Sequence, residues 1–462
     1  MDQRKESRNL KNSIRDGAAY SAAVGAGEAY VAPYAIFRGA TNEYFGMLAS
    51  FPALFSAIFQ LSAPYALNKF KKRKELVLIP VLLNALSWLL ILSTIFISVE
   101  IALPLLLIFF TFYAATNAFA GTLWSSWIAD IVPKNMRGYF FGKRNGITQL
   151  VSLVSTLLAG ILIGFLENGT TALGFSILFF ASFIFRMVSM YFLKKIDDPQ
   201  HSLKIKIEHP LRFFRTHHRR EAKNVILLSA LFLFSATLAG PFFAVYMLRD
   251  LNFTYFEYTL IIVAASLARV VAMPYWGDIS SRFGNRIVLV LGTFFVSFIP
   301  VLWLLSKSAY VIALIEIFSG FVWAAFDLSI FNYLIGSVKR WEIPSYMGNY
   351  VFFTGIGKFV GPNIGAFLIY NFEFNPIFGM APIPLIMVVS AAARLISSLF
   401  IVFLLNEQRL IFSKKQRPFL FNVMFLYPAR GLVQNISVVL DHGKKIMKGK
   451  LAIRKNIPRK KP

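Results

Sequence analysis

The chain has 462 residues, of which 57% are hydrophobic and only 15% are charged. Soluble domains carry roughly 25% charged residues, so this composition excludes a soluble globular protein, and its apolar content excludes a disordered one. The sequence contains no cysteine, which excludes disulfides, thiolate metal sites and cysteine nucleophiles. The composition therefore indicates a protein that crosses the membrane many times.

Apolar runs long enough to cross a bilayer occur twelve times along the chain, since one crossing takes about 20 residues. The first run follows a basic leader but is too long for the apolar region of a signal peptide, so we interpret it as an uncleaved helix. We number the runs as spans 1 to 12. They cover residues 17–38, 44–66, 76–98, 101–129, 145–166, 171–193, 225–248, 257–276, 287–306, 309–337, 345–370 and 380–405.

The net charge of +26 also suits a nucleic-acid binder, so the positions of the 48 basic residues decide between the two classes. The N-terminus, every second connection and the C-terminal segment hold 41 of them, whereas the opposite side holds only Arg38, Arg249 and Lys307. The positive-inside rule therefore predicts that both termini are cytoplasmic. The basic loops are expected to face anionic lipids, and no nucleic-acid partner is expected.

The sequence repeats itself across its longest connection. Ser62-Ala-Pro-Tyr65 at the end of span 2 returns as Ala272-Met-Pro-Tyr275 at the end of span 8, and Arg186 in span 6 corresponds to Arg394 in span 12. The repeat indicates two homologous halves of six helices around a midplane site. The predicted domains are a leader at 1–16, an N-terminal bundle at 17–193, a basic cytoplasmic linker at 194–224, a C-terminal bundle at 225–405 and a basic cytoplasmic tail at 406–462.

Two connections carry recognisable motifs. The segment 277–286 reads Gly-Asp-Ile-Ser-Ser-Arg-Phe-Gly-Asn-Arg and resembles the loop signature of the major facilitator superfamily, and the segment 130–142 resembles that family's connection between spans 4 and 5. The resemblance implies an all-α membrane protein of two pseudo-symmetric six-helix bundles that transports a solute by alternating access. It implies gating roles, with plain loop geometry as the alternative, for Asp130, Arg137, Gly277, Arg282, Gly284 and Arg286.

Each of these gating residues has a physical reason. The glycines permit a tight turn between helices, Arg282 and Arg286 can bind lipid phosphate or helix C-terminal carbonyls, and Arg137 is expected to pair with Asp130.

Ionisable residues inside a span are costly and are expected to avoid lipid. Glu28 and Lys358 lie in the middle of spans 1 and 11. In span 10, the i, i+4, i+7, i+11 spacing places four residues on one helical face: Glu316, Gly320, Trp323 and Asp327. The family resemblance implies that spans 1, 4, 7 and 10 line a central cavity. The predicted residues for binding substrate or ion are Glu28, Asn117, Trp124, Arg269, Glu316, Trp323, Asp327 and Lys358. The alternative is that the acids only neutralise Lys358 and Arg269.

Two further features predict structural roles. Arg186 and Arg394 lie two to three turns from the basic ends of their spans, from where a long side chain can snorkel outward. Gly357, Gly361 and Gly365 in span 11 form a flat face that predicts a close helix interface on which the two halves rock.

The chain lacks the phosphate-binding motif G-x-x-x-x-G-K-[ST], so an ion gradient is the expected energy source, with Glu28, Glu316 or Asp327 carrying protons. We predict a monomeric secondary transporter, not an enzyme, that moves a small solute across the plasma membrane without a cofactor or metal. Two alternatives remain open: a sensor or scaffold that keeps the fold without transport, and a membrane-embedded enzyme that acts on lipid.

Overall fold

The computed structural model describes residues 3–70, 73–133, 136–167, 169–198, 220–337, 343–374 and 379–405. A helix occupies every predicted span, as expected where backbone polar groups must be satisfied without water. We number the helices after the spans, with α1 and α7 each in two pieces. The helices are α1a (Gln3–Ala26), α1b (Val31–Phe37), α2 (Asn42–Lys69), α3 (Arg73–Ser93), α4 (Val99–Ile131), α5 (Arg137–Phe165), α6 (Thr171–Lys194), α7a (Arg220–Thr237), α7b (Phe242–Val245), α8 (Tyr255–Phe283), α9 (Asn285–Trp303), α10 (Ala309–Ser337), α11 (Ile343–Phe374) and α12 (Pro382–Leu404).

The helices extend beyond the apolar runs where the flanking sequence is polar. α1a already begins at Gln3, inside the predicted leader, and α5 begins at Arg137. Within the described residues, eleven helices are long and apolar enough to cross a membrane, and α1a, which carries the basic leader, is not among them. Residues 199–219 of the predicted linker and the predicted tail 406–462 lie outside the described residues.

The first helix of each half is interrupted. α1a ends at Ala26 and is followed by a 3-10 turn over Glu28–Tyr30, while α7a ends at Thr237 and is separated by four residues from α7b, which begins at Phe242. The chain is closely packed at the break in α1, where a Cβ atom at Gly27 would lie 2.5 Å from the Ser182 hydroxyl and 2.6 Å from a ring carbon of Trp88. The two breaks occur at equivalent places in the repeat, which agrees with two related halves.

A single residue connects α8 to α9. Gly284 has a φ of +90°, a backbone conformation that glycine adopts without a steric penalty. The predicted tight turn is confirmed at this residue. The rest of the predicted loop differs, since Gly277 to Phe283 form the last turns of α8.

The two halves contact each other along α2 and α11 and along α5 and α8. Small residues allow this approach, since a Cβ atom at Gly355 would lie 2.6 Å from the Cβ of Ala57, and one at Gly46 would lie 2.7 Å from the Cβ of Ala366. Close helix contact through small residues is typical of membrane bundles.

Hydrogen bonds between the halves cluster toward the end opposite the termini. Asn42 at the start of α2 accepts from Arg249 at 2.9 Å and donates to Glu373 at 3.0 Å. Deeper in the bundle, the Tyr30 hydroxyl lies 2.7 Å from the Thr259 hydroxyl, beside the break in α1. In this conformation the halves are therefore tied together at that end.

The predicted glycine face of α11 is a close-contact face, but the prediction that it forms the interface between the halves is wrong. A Cβ atom at Gly357 would lie 2.6 Å from the Ala230 carbonyl, and one at Gly361 would lie 2.6 Å from the Phe234 carbonyl. Both partners lie on α7a, inside the same half. Spacing along a helix identifies a flat face but does not identify the helix that covers it.

Candidate functional site

The C-terminal half contains a cavity of about 420 Å³, lined by α7a, α8, α10 and α11, which we call the C-half cavity. Its lining includes all four residues of the predicted face on α10: Glu316, Gly320, Trp323 and Asp327. Their spacing places them on one side of the helix. The structure turns that side toward the cavity.

Two cations face these residues. Arg269 on α8 forms a salt bridge with Asp327, and its guanidinium lies 5.9 Å from the centre of the Trp323 ring. Lys358 on α11 lies in the same lining and is exposed. The pair matches the alternative in which Asp327 neutralises Arg269, yet the two side chains are 37% and 41% exposed, so both still face the cavity.

Close backbone packing brings Arg269 to this position. Gly320 lies directly against the Ala265 carbonyl on α8, where any larger side chain would collide. One helical turn before Gly320, the carboxylate of Glu316 accepts a hydrogen bond from the indole nitrogen of Trp303 at 2.9 Å. Asp327 is therefore ion-paired, whereas the indole partner of Glu316 is neutral.

The N-terminal half contains a larger cavity of about 780 Å³, which lies among α1a to α6 and reaches Met347 on α11. We call it the N-half cavity. The predicted residues Asn117 and Trp124 both line it. Asn117 donates to the Tyr20 hydroxyl at 2.8 Å, and the guanidinium of Arg144 lies 4.1 Å from the centre of the Trp124 ring.

Three charged residues of this lining, Asp16, Arg144 and Arg186, are missing from the predicted site. Asp16 and Arg144 immediately precede apolar runs, so hydropathy assigns them to a leader and a loop, although both are helical. A helical period extended past each run would have found them, because Asp16 and Tyr20 are four residues apart on one face. Tyr20 lies beneath the Arg186 guanidinium, with 4.6 Å between the guanidinium carbon and the ring centre.

A hydrogen-bonded network holds these charges in place. Arg186 donates from Nε to the amide oxygen of Asn84 at 2.7 Å and from a terminal nitrogen to the Ser189 hydroxyl at 3.2 Å. Ser189 donates to the Asp16 carboxylate at 2.7 Å, and a terminal nitrogen of Arg144 lies 3.6 Å from the other Asp16 oxygen. One carboxylate is therefore linked to two guanidinium groups, to Arg144 directly and to Arg186 through Ser189.

The prediction that Arg186 and Arg394 snorkel outward is wrong. The two residues are 5% and 3% exposed and point into their own halves. Arg394 donates to the backbone carbonyls of Val296 at 3.2 Å and Ala236 at 2.9 Å, next to the break in α7. Its contacts are thus mainly with main-chain oxygen atoms, whereas those of Arg186 are with side chains.

Glu28 lies one residue after the break in α1, and its carboxylate accepts a hydrogen bond from the Tyr113 hydroxyl on α4 at 2.9 Å. The residue is exposed although it lies in the middle of the span, while Tyr113 is only 2% exposed. In the described chain, no ion pair within 4.0 Å joins Glu28 to a basic residue. Its partner is a neutral hydroxyl.

The predicted gating pair between Asp130 and Arg137 does not form. Asp130 instead pairs with Arg73 on α3 at 2.5 Å. Arg137 donates to the main-chain carbonyls of Ala129 and Val132, at the C-terminal end of α4. The arginine therefore caps the helix end, and the carboxylate joins α3 to α4.

The second predicted gating segment is divided between two roles. Arg282 pairs with Asp278 one turn earlier at 2.9 Å, and Arg286 donates to the Val402 carbonyl near the end of α12 at 2.6 Å. The expected binding of helix carbonyls is thus confirmed for Arg286. Gly277 lies inside α8 without tight packing, since its Cβ position is 3.9 Å from Leu328.

Comparison with known structures reveals the same fold in several transporters. A mutant of the nucleoside transporter NupG aligns with a TM-score of 0.67 and 11% identity, over 86% of this chain and 100% of that chain. The POT family transporter PepTSo aligns with a TM-score of 0.68 and 11% identity, over 86% and 97%. The xylose transporter XylE from E. coli, in a partially occluded inward-open conformation, aligns with a TM-score of 0.62 and 11% identity, over 87% and 98%.

Sequence comparison agrees with the fold. None of the curated proteins compared with the chain matches it significantly. The family model of the Major Facilitator Superfamily matches residues 20–232 and 225–418, which together include both halves. The chain therefore belongs to the Major Facilitator Superfamily, as its loop motifs and internal repeat suggested.

Proposed function

We propose that the protein is a secondary active transporter that carries a small solute across the plasma membrane by alternating access, driven by a proton gradient. The observation that supports this most directly is that each half holds a cavity lined by ionisable side chains. Ionisable groups at membrane depth are costly and mark the paths of solutes and ions. A protein that only senses or scaffolds has no need of two such cavities.

Alternating access requires the halves to separate at one end while they close at the other. The contacts of Asn42 with Arg249 and Glu373 close the end opposite the termini. These bonds join residues on different halves and lie at the edge of the bundle, where water can replace them. They form the gate whose opening our proposal requires.

The partners of the carboxylates support a choice among the proton carriers. Protonation of Asp327 would remove a salt bridge with Arg269. Among the described residues, Glu28 and Glu316 have no salt bridge within 4.0 Å: Glu28 accepts from Tyr113, and Glu316 accepts from Trp303 with Arg394 as an electrostatic neighbour. Of these two, Glu28 is the more exposed. We therefore assign the coupling proton to Glu28.

The proposed orientation places both termini and the basic loops in the cytoplasm, facing anionic lipids. Because the chain has no cysteine, cysteines introduced at Asn168 and Glu373 can be labelled without background. We expect an impermeant thiol reagent to reach both positions from outside the cell. Labelling from the cytoplasm alone would reverse the orientation.

The transport proposal is tested first by screening the purified protein against a library of metabolites and drugs by thermal shift, because a ligand raises the melting temperature by mass action. A compound that stabilises the protein is then offered, radiolabelled, to proteoliposomes loaded with the same unlabelled compound. We expect counterflow that depends on the protein. Stabilisation without counterflow would favour a sensor, and turnover of lipid in the same vesicles would favour an enzyme.

A further inference from the structure

The N-half cavity contains two arginines that are fixed from one side. Asn84 and Ser189 take two of the five N–H donors of Arg186, and the Tyr20 ring lies beneath its guanidinium. Arg144 donates from Nε to the Ser13 carbonyl at 3.2 Å. Because these contacts hold the guanidinium groups in place, little side-chain entropy remains to be lost on binding a ligand.

The charge of this cluster is unbalanced. Asp16 is the one carboxylate in contact with the cluster, and it is linked to Arg144 directly and to Arg186 through Ser189. One carboxylate against two guanidinium groups leaves the cluster with an excess positive charge. Glu28, the next carboxylate along α1, is hydrogen-bonded to Tyr113 and not to either guanidinium. An excess cation inside a membrane protein is costly unless an anion accompanies it.

The C-half cavity differs in this respect. Its own lining holds two cations, Arg269 and Lys358, and two carboxylates, Asp327 and Glu316. The buried Arg394 lies beside Glu316 in the adjoining cavity. Among the residues that line each cavity, the N-half cavity therefore carries one more positive charge than the C-half cavity, which favours an anionic ligand there. Guanidinium groups match the planar geometry of a carboxylate or phosphate and bind it through two parallel hydrogen bonds.

We propose that the N-half cavity is an anion-binding site, in which Arg144 and Arg186 hold the carboxylate or phosphate group of the transported solute. That the bound anion is the transported solute depends on the proposed transport function. The positive field of the cavity, however, follows from its side chains alone. It can be measured without any transport assay.

The first experiment measures this field with charged thiol reagents on single-cysteine variants. Ser21→Cys lines the N-half cavity and Ser266→Cys lines the C-half cavity, so the second is a matched control. Each variant is treated with a negatively charged sulfonatoethyl methanethiosulfonate and a positively charged trimethylammonium-ethyl methanethiosulfonate. We expect the ratio of anionic to cationic reaction rates to be about tenfold higher at Ser21→Cys, as for one unit of charge a few ångströms away.

A second substitution assigns the field to the arginines. Arg186→Gln in the Ser21→Cys background should lower the rate ratio several-fold, and Arg186→Lys should preserve it. If Arg186→Gln does not fold, as judged by its elution profile and melting temperature, Arg144→Gln makes the same test. Equal rate ratios at the two cavities, or a ratio unaffected by removing either arginine, would overturn the proposal.

The third experiment tests binding with small probes. Benzoate and phenylphosphonate represent the two sources of the anion, and benzamide is a neutral molecule of the same shape as benzoate. We expect at least one anion, but not benzamide, to raise the melting temperature, and Arg186→Gln to abolish this rise. Stabilisation by neither anion, or equal stabilisation by benzoate and benzamide, would count against the site.

The outcomes separate the two proposals. A positive field and anion binding without counterflow would retain the anion site and refute transport. Counterflow of a cationic or neutral solute, with no response to either anion, would retain transport and refute the anion site.

Discussion

The two halves share a backbone design but use equivalent residues differently. Ser182 in α6 and Ser390 in α12 correspond in the repeat, and each donates to a main-chain carbonyl of the first helix of its half, Ala23 at 3.1 Å and Ser235 at 2.7 Å. Arg186 and Arg394 also correspond, four residues further along. The scaffold of the ancestral unit has therefore been kept in both halves.

The chemistry attached to that scaffold has diverged. Ser189 donates to the carboxylate of Asp16, whereas the equivalent Ser397 lies 2.8 Å from another hydroxyl, Ser235. The polar network of the N-terminal half thus ends in charges that line a cavity. In the C-terminal half, Arg394 mainly holds main-chain carbonyls, and the cavity charges come from other helices. Equivalent position in a repeat therefore predicts structure better than it predicts function.

The largest difference between the halves is expected at Tyr113 and Trp323, which lie on the corresponding helices α4 and α10. Tyr113 is 2% exposed and its ring centre lies 4.7 Å from that of Trp88. We expect Tyr113→Ala to lower the free energy of unfolding by about 3–5 kcal/mol, as other buried aromatic truncations do. The melting temperature of the purified protein measures this, and Tyr113→Phe, which keeps the ring, is the control.

The second prediction concerns coupling, which we assign to the N-terminal half. Glu28→Gln should abolish gradient-driven accumulation, a loss of about 100-fold for two pH units because each pH unit stores about 1.4 kcal/mol per proton. Exchange of solute without a gradient should continue. Glu316→Gln in the other half should retain accumulation, and unchanged uphill transport by Glu28→Gln would remove Glu28 from the mechanism.

The third prediction is the counterpart of the first. Trp323 is partly exposed and lines the C-half cavity, although its ring also contacts Phe232 and Phe326. Trp323→Ala should therefore lower the melting temperature much less than Tyr113→Ala does. Ligand affinity should fall about tenfold, equivalent to about 1.4 kcal/mol, as measured by titration calorimetry. A destabilised Trp323→Ala protein that binds normally would show that this face is structural.

The smallest effect is expected from Asp327→Asn, which removes the partner of Arg269. The C-half cavity would then carry excess positive charge, as the N-half cavity does. A cationic ligand should be weakened about fivefold more than a neutral one, since only the former loses a Coulomb partner that is partly screened by water. Asn117→Ser, in the N-half cavity, leaves the charge unchanged, so the two ligands should respond alike to it.

Much of the fold was predictable because a membrane-spanning helix requires a run of about 20 apolar residues, which can be found in the sequence. α10, for example, has the limits 309 and 337 in both the prediction and the structure. The breaks after Ala26 and Thr237 were not predicted, because an interruption inside an apolar run changes hydropathy little. Gly240-Pro241 in the second gap is a local break signal that hydropathy alone does not detect. Hydropathy locates an apolar run in the sequence but does not locate an interruption of the helix within that run.

The candidate site was predictable only in part for a related reason. The face of α10 followed from spacing within one helix, whereas the pairing of Asp130 with Arg73 depends on how α3 and α4 are rotated against each other. Asp16 and Arg144 were missed because each lies at the polar edge of an apolar run. Charges at such edges can turn inward along an extended helix, which a count of loop charges does not detect.

The contacts of Asn42 have a consequence for the range of sequences this fold can accept. The amide accepts from a guanidinium and donates to a carboxylate at the same time, and an amide offers both functions in one rigid group. Aspartate at this position would repel Glu373, lysine would repel Arg249, and leucine would remove both hydrogen bonds between the halves. Position 42 should thus tolerate few replacements in a saturation mutagenesis experiment, although it lines neither the N-half nor the C-half cavity.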